Sequence, residues 1–260
     1  GTDFEDGDAI LKDDTVIGPA EVCLLHAAGV SSVSAYRRIR VGVLSTGDEI
    51  RNGMVNDCNA PMVCAILQRW GCDAVHLGVV PDDPDKTKEE LDAAADGFDM
   101  VITIGGVSAG KKDYVAATIL KDGEVVFHGY RVRPGKPLLV SYYRGKPIFS
   151  LPGKPAGAFT AMELIVRRFI LGDVPPVAAA SLARDVDIRA GDFKYVVYVQ
   201  LKDSAAVPMG YPESPLNLFP GPGYRVSLVS SSPKAIMADG YFIADDKVGA
   251  GQQVDVFLLR

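Results

Sequence analysis

MVITIGGVSAGKKD, residues Met100–Asp113, is the stretch that decides the fold. Met100–Ile104 reads as a short buried strand, apolar throughout except for Thr103. Gly105-Gly106-Val107-Ser108-Ala109-Gly110 follows as a turn whose glycines admit backbone angles closed to other residues. A helix is expected from about Asp113 until Gly123 stops it. Strand, glycine turn and helix in that order make half of a parallel βαβ unit. The same grammar repeats on both sides. Upstream, Val41–Leu44 is a strand ending in Ser45-Thr46-Gly47-Asp48-Glu49. Asn59, with Pro61 in the first turn, caps a helix that runs to Trp70 and ends at Gly71. Val75–Val80 is a further strand, and Asp82-Asp83-Pro84 caps a helix through Ala95. Downstream, strands over Val125–Val132, Leu138–Ser141 and Ile148–Ser150 precede a helix from Pro155 to about Ile170. Alternating apolar strands and helices mark an α/β fold with a mostly parallel sheet. Ligands of such sheets sit beyond the carboxyl ends of the strands, where each of these polar turns falls.

The pattern changes at Gly172-Asp173-Val174-Pro175-Pro176, the best domain boundary. Beyond it, Tyr195–Val199 and Val254–Leu258 with Gly/Pro-rich turns between them read as a small all-β C-terminal domain over 177–260. Ahead of the sheet, residues 1–36 are a connector and one helix, with Pro19 in its first turn, Val22 and Leu25 on its apolar face and Gly29 at its end. The 260 residues are 48% hydrophobic, which excludes a disordered chain. The 27 Lys+Arg against 33 Asp+Glu leave a net charge of −6, and that argues against a dedicated nucleic-acid module. No stretch is long and apolar enough for a membrane span, and the cytoplasm is the default location. Cys23, Cys58, Cys64 and Cys72 form no metal-ligand spacing and are expected to be buried, reduced thiols. His26, His76 and His128 are expected to be satisfied structural imidazoles.

Three features carry chemistry. The glycine turn lets backbone N–H groups approach phosphate oxygens, with Lys111 and Lys112 adding charge; the competing reading is a plain strand-to-helix turn. Asp48, Glu49, Asp57, Asp82, Asp83 and Asp113 come from three strand-end turns that the sheet would bring together, and such carboxylates suit Mg²⁺ shared with a phosphate ester. Each also precedes a helix, so each alone reads first as a cap, and only the set favours the metal reading. Arg131-Val132-Arg133-Pro134-Gly135-Lys136-Pro137 and Leu151-Pro152-Gly153-Lys154-Pro155 are rigid turns holding cations. Residues 121–172 carry nine basic against three acidic side chains, whereas 82–99 carry two against eight. An acidic chain thus keeps a local basic pocket fit for a polyanion or tetrahedral oxyanion.

In their order, STGDE at 45–49, Asp57-Cys58-Asn59, Asp82-Asp83, GGVSAGKKD, RPGKP and LPGKP resemble the molybdopterin molybdenumtransferase (MoeA) family, as does the tail around Gly223–Ser232 and Ala238-Asp239-Gly240. The resemblance implies a MogA/MoaB-like three-layer sandwich over 37–172 followed by the β domain. It implies adenylylated molybdopterin and molybdate (or tungstate) as substrates, Mg²⁺ as cofactor, and release of AMP. By position, Glu49, Asp82 and Asp113 match the family's functional and metal-binding acids. The substrate contacts it implies are Thr46, Gly47, Asp48, Gly105, Gly106, Val107, Ser108, Gly110, Arg133, Pro134, Gly135, Lys136, Pro137, Pro152, Gly153 and Lys154. Three positions depart from the family pattern: Arg133 replaces a lysine, Lys154 an asparagine and Gly157 a serine. The resemblance also implies a homodimer, a MogA/MoaB-type adenylyltransferase or a separate N-terminal-domain protein as partner, and an elongated N-terminal domain of which 1–36 match only the tail. A binding protein without catalysis and a CinA-like pyrophosphatase are the alternatives on the same sheet.

Overall fold

The structure is a computed structural model describing residues 4–5, 7–107, 113–188, 191–218 and 224–259. It divides into two compact units, Gly1–Arg38 and Ile39–Arg260. In the first, helix α1 (Pro19–Ala27) starts with Pro19 in its first turn and buries no residue. The Gly18 amide donates to Glu21 Oε2 at 2.9 Å, closing the entry of the helix.

The second unit opens with the expected alternation: β1 (Arg40–Thr46), α2 (Asp48–Arg51), α3 (Asn59–Arg69), β2 (Asp73–Val80), α4 (Pro84–Gly97), β3 (Met100–Ile104) and α5 (Tyr114–Asp122). Then come β4 (Glu124–His128), β5 (Val132–Arg133), β6 (Leu139–Tyr143) and β7 (Lys146–Leu151). A helical run follows, α6 (Pro155–Ala161), a π-segment (Met162–Val166) and α7 (Arg167–Leu171). The first sheet has the order β2-β1-β3-β7-β6-β4. Its β2, β1, β3 and β7 are mutually parallel, and β6 and β4 add as antiparallel strands. All five residues of β3 are buried, as a central parallel strand requires. Their alternation feeds two cores. Val101 packs with Leu91, Ala95, Val115 and Ile119 of α4 and α5. Met100 and Ile102 pack with Val63 and Leu67 of α3 and Met162 of the π-segment. Helices therefore cover both faces, giving the three layers expected.

The second sheet contains β8 (Val177–Leu182), β9 (Lys194–Lys202), β10 (Ala205–Pro208), β11 (Gly240–Ala244) and β12 (Gln253–Leu258). In the order β10-β8-β12-β11-β9, with β9 also paired to β10, it closes into a small barrel. Helix α8 (Val226–Ser231) and a 3₁₀ turn (Pro233–Met237) lie between β10 and β11, an insertion the Gly/Pro-rich sequence did not announce.

Several local expectations are corrected. The single strand expected over Val125–Val132 is two, because Gly129 turns the chain at φ +81° and its amide bonds Leu138 O. The second piece, β5, leaves the first sheet and pairs in parallel with β9. Asn59 does not cap α3. That role falls to Asp57, whose Oδ1 accepts from the Asn59 and Ala60 amides at 3.0 Å each. Of the thiols, only Cys72 is buried; Cys64 is half-buried, Cys23 and Cys58 are exposed, and all four are free. His128 Nε2 lies 3.0 Å from Val107 O, and His76 Nε2 lies 3.8 Å from Asp57 Oδ2, whereas His26 is exposed on α1.

Candidate active site

The carboxyl ends of β1, β3 and β7 are tied side by side. Thr46 Oγ1 donates to Ile104 O at 3.2 Å, and the Gly105 amide donates to Leu151 O at 3.0 Å. Gly105 sits at φ +89°, and a Cβ there would fall 2.7 Å from Thr46 Oγ1. The first glycine of the turn is therefore demanded twice, by backbone angle and by contact. Asn59 Nδ2, freed from capping, donates to Gly153 O at 2.7 Å and holds the LPGKP turn to the start of α3.

Around this rim lies a hollow of about 290 Å³ lined by Thr46, Gly47, Glu49, Asp82, Gly105, Gly106, Val107, Asp113, Pro137, Pro152 and Gly153, together with Ile50, Asn59 and Ile104. Glu49, Asp82 and Asp113 thus reach one place from three separate loops. Their neighbours in the sequence do other work. Asp83 accepts the Lys86 amide at 2.8 Å and caps α4. Asp57 takes the Ser45 hydroxyl at 2.5 Å besides its two amides. Asp48 accepts the Asp82 amide at 3.2 Å and so fastens the β1 loop to the β2 loop rather than lining the hollow. Asp113 stands at the N-cap position of α5 without a capping bond from its side chain. The Glu49 carboxylate folds back over its own turn, within 2.9 Å of the position a Cβ on Gly47 would take.

A second hollow, about 490 Å³, adjoins the first through Pro137, Pro152 and Gly153, which line both. It is walled by Arg133, Pro134, Gly135, Lys136, Lys154 and Gly157, and by Val226, Ser227 and Ser230 of α8. The RPGKP turn is packed from below. Gly135, at φ +116°, would place a Cβ 2.9 Å from the Tyr130 hydroxyl, and Gly157 would place one 3.2 Å from Pro152 Cβ. Burial pushes the Tyr130 phenol up, so a neutral hydroxyl underlies the cations. Tyr198 of β9 fixes α6: its hydroxyl lies 2.7 Å from Thr160 Oγ1 and 3.1 Å from Ala156 O. Burial holds that phenol protonated as well.

Ser108 and Gly110, along with Lys111 and Lys112, fall outside the described residues. Sequence reasoning assigns no role to Ser227 and Ser230, although the tail around Gly223–Ser232 is a recognisable signal. Ile104, at the end of β3, and Ile50, in α2, are missed because an apolar residue in either place looks like core.

Among the described residues, no three His, Cys, Asp or Glu side chains are gathered closely enough to hold a metal by themselves. The donor set nonetheless fits Mg²⁺. That ion takes hard oxygen ligands, usually one or two carboxylates completed by substrate phosphates and water, and Glu49, Asp82 and Asp113 supply carboxylates in one hollow.

A mostly parallel sheet with helices on both faces, acids at its strand ends and a cationic turn beside them defines the class as an α/β domain with two oppositely charged hollows at one rim. Residues 42–172 match the family described as a probable molybdopterin binding domain, and the chain belongs to that family. It is 33% identical over 177 residues to the molybdopterin molybdenumtransferase of Haemophilus influenzae, covering 65% of this chain and 44% of that protein. It is 28% identical over its whole length to a putative molybdopterin biosynthesis protein of Methanocaldococcus jannaschii, of which it covers 65%. A solved molybdopterin biosynthesis MoeA protein of Pyrococcus horikoshii superposes with a TM-score of 0.76 at 27% identity, covering 94% of this chain and 60% of that one. The chain therefore spans roughly half to two thirds of the length of these relatives.

Proposed function

We propose that this chain acts in molybdenum cofactor biosynthesis, inserting molybdate or tungstate into adenylylated molybdopterin with release of AMP. The observation that carries the reading is the pair of adjoining hollows, one lined by Glu49, Asp82 and Asp113 and the other by Arg133, Lys136 and Lys154. A substrate joining a phosphate-linked nucleotide to a site of oxyanion capture needs both signs of charge side by side. Gly105 and Gly106 let the backbone approach the phosphates closely. Arg133, Lys136 and Lys154 hold the tetrahedral oxyanion, and Ser227 offers a hydroxyl from α8, while the Ser230 hydroxyl donates to Ser227 O at 2.9 Å. Glu49, Asp82 and Asp113 orient the phosphoanhydride and would hold Mg²⁺, whose chemistry when bound is to screen the phosphate charge. Water attacks the adenylyl phosphorus as the anhydride P–O bond breaks, so AMP leaves with the new oxygen and the pterin keeps its own phosphate; molybdate exchanges one oxide for the two dithiolene sulfurs, the oxide leaving as water with the two thiol protons.

The deciding experiment follows AMP release from adenylylated molybdopterin by this chain, with and without molybdate. Molybdate-stimulated release is the expected result. Tight binding with no release under either condition would overturn the catalytic reading in favour of a carrier, and release indifferent to molybdate would make the chain a plain pyrophosphatase.

A further inference from the structure

We infer that Phe193, contributed by the barrel, is the positioning residue of the oxyanion subsite. Its ring carries the guanidinium of Arg133 at 4.0 Å and has the ammonium of Lys136 at 5.7 Å from the same centroid. Both distances lie within the reach of a cation–π attraction. Arg133 and Lys136 are exposed side chains three residues apart on one turn. Two like charges so placed repel each other and, left alone, swing apart into water. Attraction to one ring offsets that repulsion and holds both heads at the hollow they line.

The backbone fixes the ring where it is needed. Phe193 immediately precedes β9, and the Lys194 amide donates to Arg131 O at 2.8 Å. The short ladder pairs Val132 with Lys194 and Arg133 with Tyr195. A slip of one residue would turn Phe193 to the other face and leave the cations without their ring. This is a physical reason for β5 to desert the first sheet. It also gives Arg133 a meaning beyond charge. A planar guanidinium can lie flat on a ring and still present all its N–H donors at its edge, a stacked geometry that a compact ammonium does not have.

The inference rests on the reading that this turn binds an oxyanion, and its probe is inorganic molybdate alone, titrated calorimetrically into the whole chain. Phe193→Leu keeps much of the apolar bulk and removes the π face, and is expected to weaken molybdate binding about threefold to thirtyfold. Phe193→Tyr keeps the face and is expected to bind within about twofold of the parent. In the Arg133→Lys background the Leu exchange is expected to cost less, because the stacking partner is already gone. Undiminished binding by Phe193→Leu, or a loss that Phe193→Tyr shares, overturns the inference, as does a parent chain that binds no molybdate. Should Phe193→Leu fail to fold, the Tyr variant and the Arg133→Lys cycle with Phe193→Tyr still decide it: weakened molybdate binding by the well-folded Tyr variant overturns it, and parent-like binding supports it. A parent that binds molybdate but releases no AMP overturns the proposed reaction and leaves the role of Phe193 standing.

Discussion

The two adjoining hollows are made in opposite ways. The acidic one is local: each of its carboxylates follows a strand of the first sheet, and its braces are short bonds between neighbouring loops, such as Thr46 to Ile104 O and Asn59 to Gly153 O. The cationic one is assembled from a distance. Its turn is pinned by a strand pair with the barrel, its Arg133 and Lys136 lie against Phe193, and its far wall is α8. The acidic hollow should therefore fail residue by residue, while the cationic hollow should fail whenever the barrel is disturbed. Substitutions can sharpen or break that contrast.

The largest effect is expected at Asp113. Its side chain lines the acidic hollow and makes no capping bond to α5, so truncation removes a carboxylate from the hollow without uncapping the helix. Asp113→Ala is expected to slow AMP release by about a hundredfold or more while adenylylated pterin still binds, as judged by equilibrium titration. Unchanged turnover would break the assignment. Asp83→Ala is the control: it removes the cap on α4 and is expected to cost about 1 kcal/mol of stability with turnover retained.

Gly105 tests whether the rim itself is rigid. Alanine there must adopt φ near +89° and place its Cβ against Thr46 Oγ1. The expected cost is about 2 to 3 kcal/mol, read as a melting point lower by about 5 to 10 °C. Because Thr46 braces β1 to β3, the loss should reach the acidic hollow and leave molybdate binding at the cationic one nearly intact. Equal damage to both would mean that the two hollows are one mechanical unit.

How much of this was legible in the sequence follows from the same contrast. The strand–turn–helix grammar gave the first sheet, because each element obeys rules that act within ten or fifteen residues. The set Asp48, Glu49, Asp57, Asp82, Asp83 and Asp113 was readable for that reason, since parallel strands carry their ends to one rim, and it was the family resemblance that singled out Glu49, Asp82 and Asp113. What the residue order could not show is which acid is a cap. Asp57 and Asp113 both precede helices, and only the fold reveals that Asp57 is consumed by Ser45, Asn59 and Ala60. Phe193 and the α8 serines were illegible for a different reason. A phenylalanine before a strand and serines in a short helix have ordinary local explanations, and their meaning arises only when the barrel folds back onto the RPGKP turn. The same applies to β5, whose residues read as a continuation of β4 until Gly129 and the β9 ladder redirect them.

The smallest expected effect lies where sheet and barrel are joined. Glu163, in the π-segment, is 2% exposed, with Arg69 and Arg167 each 3.6 Å away. Arg69 also donates to Leu259 O at 3.3 Å, next to the end of β12. Burial pushes the Glu163 carboxyl above its usual 4.5, and Arg167 and Arg69 offset part of that rise. The same burial, helped by Glu163, pushes the Tyr241 phenol of β11 up to about 12. A carboxyl with a raised folded pKa binds its proton more tightly in the folded chain than in the unfolded one. Ionisation at neutral pH therefore weakens the fold, and stability returns as pH falls through the raised value towards 4.5, below which the contribution is constant. Glu163→Gln keeps the shape and removes the titration. At neutral pH its stability is expected within about 1 kcal/mol of the parent, because the lost ion pairs and the lost desolvation nearly cancel. The informative quantity is the difference in melting point, parent minus variant, measured from pH 8 down to pH 5. It should rise as the pH falls, in the parent's favour, since only the parent gains a proton there. A difference that stays flat down to pH 5 and falls only below it would mean that the two arginines hold Glu163 ionised, and that sheet and barrel are joined by charge rather than by a buried acid they have to neutralise.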